Sequence, residues 1–172
     1  MLKTKDILDE KDKRLKQISK EVTFPLTKAD KEMIEKMIQF LKNSQIPEIA
    51  EKYELRPGMG LSAVQVGILK RVIVIDLEDD KGIYVFINPE IIKTKGSQEC
   101  DEGCLSFPNK FGKVVRPTEV VVEFFNRKGK KDKLKAKDLL AQAICHECDH
   151  LEGILFVDKV LPGTLEYVTP EE

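Results

Sequence analysis

The chain has two histidines, and both fall in one stretch, "DLLAQAICHECDHLEG" (138–153), as His146 and His150. The alanines and leucines around them, and Gly153 after them, predict a helix that stops at the glycine. At ~100° per residue the two histidines lie about 40° apart on one helix face, with Ala143 and Leu139 on that face one and two turns earlier. Two imidazoles placed this way can grip one cation, which is the mechanical content of H-E-x-x-H. Glu147 lies ~100° round the wheel from His146. There a carboxylate flanks a metal instead of binding it, and it can take a proton from water. Such a helix has to be wrapped by the rest of the chain.

The third ligand follows less directly. The extended zincin pattern would place a histidine at position 156, but Phe156 stands there, so the third protein ligand is a Cys, Asp or Glu. The cysteines form two tight clusters, Cys100 with Cys104 and Cys145 with Cys148. Clustering of this kind suits metal binding or catalysis better than a disulfide framework, although two bridges stay open. Cys145 and Cys148 project ~60° apart on a face nearly opposite the histidines, so one helix cannot aim both pairs at one ion. Cys148 reads as a small packing residue. "CDEGCLSFP" is then the natural donor: Gly103 permits close backbone approach, and Cys104 could offer its thiolate across the helix. A structural zinc knot of all four cysteines is the rival, and it leaves the histidines and Glu147 without a purpose.

The remaining sequence supplies the wrapping. Met33, Ile34, Met37, Ile38 and Leu41 mark one apolar helix face, with Thr27 and Asp30 placed to cap it, and the helical pattern runs on to "IPEIAEKYEL". "RPGMGLSAVQVG" interrupts, and short β-branched runs follow: "KRVIVIDL", "IYVFINPEII" with Pro89 marking a strand end, and "TEVVVEFFN". Gly129 in "NRKGKKDKLKAK" predicts a hairpin whose lysines face solvent rather than RNA. The expected class is α+β: antiparallel sheets packed around the C-terminal H-E-x-x-H helix, with an N-terminal helix before them, in one domain over 1–172. A short helix is expected within the first 20 residues.

Bulk properties exclude several classes of function. A formal net charge of −1 gives no global footprint for nucleic acid. No run approaches the ~20 apolar residues of a membrane span, and the N-terminus lacks the apolar core of a signal peptide, so a reducing, cytoplasmic setting is expected. The glycines of "GMGLSAVQVG" precede a strand, not a helix, which argues against a nucleotide loop.

Taken in order, "GMGLSAVQ" (58–65), "EGCLS" (102–106) and "HECDH" (146–150) resemble the peptide deformylases, metalloenzymes that remove the N-formyl group from the initiator methionine of new polypeptides. The resemblance runs through most of the chain. It implies Cys104, His146 and His150 as ligands of one divalent ion, with iron(II) as the cellular metal and zinc, nickel or cobalt as substitutes on isolation. It implies hydrolysis by metal-bound hydroxide, with Glu147 as general acid and base and with Gln65 and the Leu105 N–H holding the oxyanion. Gly60 would contact the formyl-methionyl peptide through its backbone, and Met59, Cys100, Leu139 and Ala143 would line the methionine pocket. Glu102 and Arg116 are candidates for an ion pair bracing the ligands. Ser62, Val64 and Cys145 depart from the usual pattern without removing a chemical group. Transient ribosome contact is a further implication, but the tail after Gly153 is neither long nor basic enough for a docking helix. Two other readings differ in chemistry: a peptidase using the same helix, and a non-catalytic binding module built on the cysteines.

Overall fold

The computed structural model describes residues 1–169, so the last three residues of the C-terminal tail lie outside the described residues. Three α-helices and eight strands follow one another along the chain. They are α1 (Lys28–Ser44), α2 (Pro47–Tyr53), β1 (Gly60–Ser62), β2 (Val72–Asp76), β3 (Ile83–Lys95), β4 (Gln98–Cys104), β5 (Phe107–Arg116), β6 (Glu119–Phe125), β7 (Lys131–Lys137), α3 (Asp138–Leu151) and β8 (Glu166–Tyr167). Strands β1-β2-β3-β6-β7 form an antiparallel five-stranded sheet, and β4-β5-β8 form an antiparallel three-stranded one.

Strand β2 explains how the layers assemble. Its sequence, "VIVID", is buried at every position. A strand buried on both faces reads as a continuous apolar run. Val72 and Val74 pack under α1 with Met33, Ile34, Met37 and Leu41. Ile73 and Ile75 point the other way, into a cluster with Ile144 and Leu151 of α3 and Val120 and Val122 of β6. The sheet is therefore sandwiched between α1 and α3. A third cluster (Leu15, Val64, Phe107, Leu155, Phe156) closes over the end of α3.

The α1 cap forms as expected: Asp30 N–H donates to Thr27 Oγ1 and Thr27 N–H to Asp30 Oδ2, each at 3.1 Å. The helical pattern is cut in two, however. Ile46 precedes Pro47 and is forced into an extended conformation, so α2 restarts with the proline in its first turn. The lysines of β7 meet acids of β6 across the strand pair, Lys131 with Glu123 at 3.2 Å and Lys135 with Glu119 at 3.0 Å. They blunt an edge strand.

Two sequence expectations are corrected. Pro89 does not end a strand: β3 continues through it by way of irregular pairing between Ile87 and Glu90, with Asn88 at φ 50°. The Asn88 side chain substitutes for a strand partner, accepting from Val22 N–H at 2.8 Å and donating to Val22 O at 2.9 Å. The first 20 residues hold single 3-10 turns at Thr4–Asp6 and Lys13–Lys16 rather than a helix. Asp9 and Asp12 accept from the backbone two residues on, at Lys11 and Arg14, which competes with helical pairing. Isolated apolar residues such as Leu15 then anchor the arm singly.

Thr27→Ala should lower stability by about 1 kcal/mol, because it removes one half of a reciprocal cap. Urea unfolding monitored by circular dichroism would measure it.

Candidate metal centre and active site

Helix α3 presents His146 and Glu147 to a cleft of about 480 Å³ between β1 and the β4–β5 hairpin, with His150 buried one turn further along. The imidazole centroids of the two histidines are 5.2 Å apart. Cys104 ends β4, and its Sγ lies 3.4 Å from His150 Nε2. One donor atom from each of Cys104, His146 and His150 falls within 4.8 Å of the other two. Among the described residues these three form the one cluster of this kind. Phe156, in the place of a third histidine, lies with its ring centroid 6.1 Å from that of His146 and closes the site with aromatic carbon.

The other cysteines take no part. All four are free thiols, and Cys145 packs in the core beneath β2 and β6. Burial pushes the Cys145 thiol up to about 11 and the Cys148 thiol higher still. Thiols held neutral in apolar surroundings are poor ligands. Neither the zinc knot nor the disulfides form.

A buried chain of charges orients the histidine face. Glu102 on β4 makes a bidentate pair with Arg116 at the end of β5, at 2.8 and 2.9 Å. The same carboxylate lies 2.7 Å from His146 Nδ1. Arg116 also donates to Asp149 of α3 at 2.6 Å, a partner that sequence reasoning missed. Glu102 fixes the His146 ring with Nε2 toward the cleft, as carboxylates behind metal-binding histidines do. Burial alone would raise the Glu102 carboxyl, but Arg116 and His146 outweigh it and hold it down to about 2.

Glu147 sits on the same helix with opposite electrostatics. Burial lifts its carboxyl to about 7, against the pull of His146. Its Oε1 is buried without a partner among the described residues, as is His150 Nδ1. Burial would strip His146 of its proton, yet Glu147, Cys104 and Glu102 overcome this and raise its pKa well above the ordinary value. His150 shifts the other way, driven first by burial and then by the charge on His146. Negative groups thus converge where positive charge is wanted. A soft divalent cation held by one thiolate and two imidazoles fits that demand.

Position 60 lies against the Glu147 side chain: a Cβ there would stand 2.7 Å from Glu147 Oε2, so any larger residue would displace the carboxylate. What crowds Gly103 is the Phe111 ring rather than α3, since a Cβ at that position would stand 2.7 Å from it.

The remaining sequence candidates divide. Met59, Gly60, Leu105, Leu139 and Ala143 all line the cleft. Cys100 does not: its buried thiol turns to Gln98 O at 3.8 Å. Gln65 is buried beside the cleft floor, its Nε2 3.4 Å from Cys104 Sγ and 3.2 Å from Ser106 Oγ. Its Oε1 accepts from Ser62 N–H and Oγ–H. Arg56, Phe111 and Gln142 also line the cleft and carried no signal in the sequence, being common residues outside any spacing pattern.

Residues 4–164 match the profile of the Polypeptide deformylase family. The chain belongs to that family. A peptide deformylase of Acetivibrio thermocellus is 45% identical over 155 residues, covering 90% of this chain and 82% of the relative. One from Listeria welshimeri is 39% identical, over 99% of this chain and 97% of its own. Among solved structures, the Synechococcus elongatus peptide deformylase in complex with actinonin superposes with a TM-score of 0.79 at 38% identity, covering 91% of this chain and 80% of that one. The Thermotoga maritima enzyme gives 0.76 at 33% identity, over 91% and 97%. The family consists of metal-dependent enzymes, in keeping with the Cys104, His146, His150 cluster. No helix among the described residues is long and apolar enough to cross a membrane.

The charge chain makes a pH prediction. Because Glu102 is depressed from 4.5 to about 2, its stabilising contribution is complete above pH 4.5 and is lost as pH falls toward 2. Between pH 7 and pH 3 this one group should account for about 2 kcal/mol of lost stability. Urea unfolding across that range should therefore show a shallower acid loss for Glu102→Gln, from a lower starting stability at pH 7.

Proposed function

We propose that this protein removes the formyl group from the N-terminal formyl-methionine of newly made polypeptides, releasing formate. The observation that carries the reading is the convergence of Cys104, His146 and His150 beside a buried Glu147 oxygen that has no partner among the described residues, at a cleft lined by Cys104, His146 and Glu147. Membership of the deformylase family supports the choice of reaction. The catalytic unit is the single domain that the sequence predicts over 1–172, acting in the cytoplasm.

Cys104, His146 and His150 hold one divalent ion, iron(II) in the cell, with zinc, nickel or cobalt able to take its place. When bound, such an ion lowers the pKa of water from 15.7 toward ~7 and so makes a nucleophile available at neutral pH. The protein's own groups do the rest. Glu147, raised to about 7 by burial, takes the proton of the attacking water and delivers it to the amide nitrogen as the C–N bond breaks. The products are formate and a free methionine amine, so water is consumed and the atoms balance.

Charge that develops on the formyl oxygen is met by two donors. Leu105 lines the cleft, and among the described residues its N–H has no acceptor. The Gln65 amide lies in the same corner, beside the Cys104 sulfur, and turns from Ser106 to the oxyanion. Loss of either donor typically costs ~100- to 1,000-fold in kcat. The bare backbone at Gly60 admits the peptide next to Glu147. Met59, Leu139 and Ala143 receive the methionine side chain, with Cys100 behind the wall. Transient contact with the ribosome belongs to the same reading.

Formate release from a formyl-methionyl tripeptide, against its acetylated and unblocked forms, tests the reading with anaerobically iron- or nickel-loaded protein. Release from the formylated peptide alone is expected. Glu147→Gln should keep its metal and lose ~100- to 10,000-fold in turnover. A metal-replete Glu147→Gln protein with near wild-type turnover would sink the assignment.

A further inference from the structure

Arg56 is half-buried at the cleft wall, and among the described residues it has no carboxylate partner; burial lowers its pKa. Its Nη2 instead donates to two successive backbone carbonyls, Cys104 O at 3.1 Å and Leu105 O at 2.9 Å. A guanidinium given two neutral carbonyls in place of a carboxylate keeps its charge for other uses.

The place of those carbonyls decides what the charge does. Cys104 C=O and Leu105 N–H are the two ends of one planar peptide unit, and they point in opposite directions. Arg56 grips the carbonyl end, and the N–H end, on a residue that lines the cleft, has no acceptor among the described residues. A cation on an amide oxygen draws electrons from the nitrogen, which makes the N–H a stronger donor. Hydrogen bonds linked in series polarise one another in this way. The second contact, on Leu105 O, holds the following peptide unit as well, so both sides of Leu105 are tied to one guanidinium.

Arg56 is itself well anchored. Its own N–H donates to Thr4 Oγ1 at 3.2 Å. The next residues are pinned by α1, with Gln45 Nε2 donating to Gly58 O at 2.8 Å and Gly58 N–H to Ser44 Oγ at 3.3 Å. A Cβ at Gly58 would meet the Leu105 side chain at 2.7 Å, so the two segments already touch.

We propose that Arg56 is a positioning residue that orients and polarises the Cys104–Leu105 peptide, so that the Leu105 N–H is a preset, strengthened donor to the reacting formyl oxygen. The inference rests on the deformylase reading and on the role given there to Leu105. Arg56 touches neither the metal ligands' side chains nor the bond that breaks, and acts only through the turn.

The test compares wild type, Arg56→Met and Arg56→Lys, all zinc-loaded for spectroscopy and nickel-loaded for kinetics. Arg56→Met should lose ~10- to 100-fold in kcat with KM nearly unchanged, since the interaction is made in the transition state. Metal retention against a chelator should equal wild type. Free guanidinium should restore part of the lost kcat, and Arg56→Lys should fall between the two. The Leu105 amide proton resonance should move upfield in Arg56→Met and less in Arg56→Lys. A purely structural arginine would instead weaken metal retention and give no rescue. If Arg56→Met fails to fold, Arg56→Lys carries the same comparison. Wild-type kcat in a folded variant, or an unmoved Leu105 resonance, would overturn the inference while leaving the deformylase activity standing. Failure of the wild-type protein to release formate would overturn both.

Discussion

The structure depends on one buried chain of charges, Glu102 between Arg116 and His146, with Asp149 on the far side of the arginine. Glu102 and Arg116 belong to the β4–β5 hairpin, and His146 and Asp149 to α3. These contacts are therefore what lock the three-stranded sheet to the central helix. Cys104 lies two residues beyond Glu102, so the lock also sets the distance from the thiolate to the imidazoles. Buried pairs of this kind recover little net stability once desolvation is counted, but removing one member leaves a bare charge at a cost of about 3–5 kcal/mol. The chain acts mainly as a specifier of geometry.

The two glutamates, one on β4 and one on α3, show how a single site supplies opposite chemistry. Glu102 and Glu147 are both buried, yet one is held far below the ordinary range and the other is lifted to about 7. The difference is the company of Arg116, which reaches Glu102 directly and Glu147 only through space. A permanently charged carboxylate suits an orienting role, and one that titrates near neutrality suits proton transfer.

Much of this was legible in the sequence because it followed from spacing. The helix of residues 138–151, the α1 stripe and its cap, the hairpin lysines and the face shared by Leu139, Ala143 and the histidines all repeat with helical or strand periods. Features fixed by long-range pairing were not legible. Asn88 completes a strand by binding the Val22 backbone 66 residues away, and no local pattern announces that. Asp149 and Arg56 are ordinary charged residues whose roles exist only once α3, the hairpin and the segment before β1 are brought together. Cys100 is given a pocket role by the family resemblance, whereas its buried thiol hydrogen-bonds to Gln98 O, and the residue is not among those that line the cleft. The N-terminal arm misled because its charged residues favour local side-chain turns over a helix.

The site is assembled from segments near residues 60, 104 and 148, and the histidine-bearing helix is the last of the α-helices among the described residues. A chain made from its N-terminus contains α1 and the strands of the five-stranded sheet before α3 exists, and a domain that folds as a unit has no core to close until then. The apolar face of β2 toward Ile144 and Leu151 stays uncovered until that moment. Burial of this face and arrival of both imidazoles are one event. A chain that lacks α3 then has neither a finished core nor a place for a metal, so the element that completes the core also completes the site.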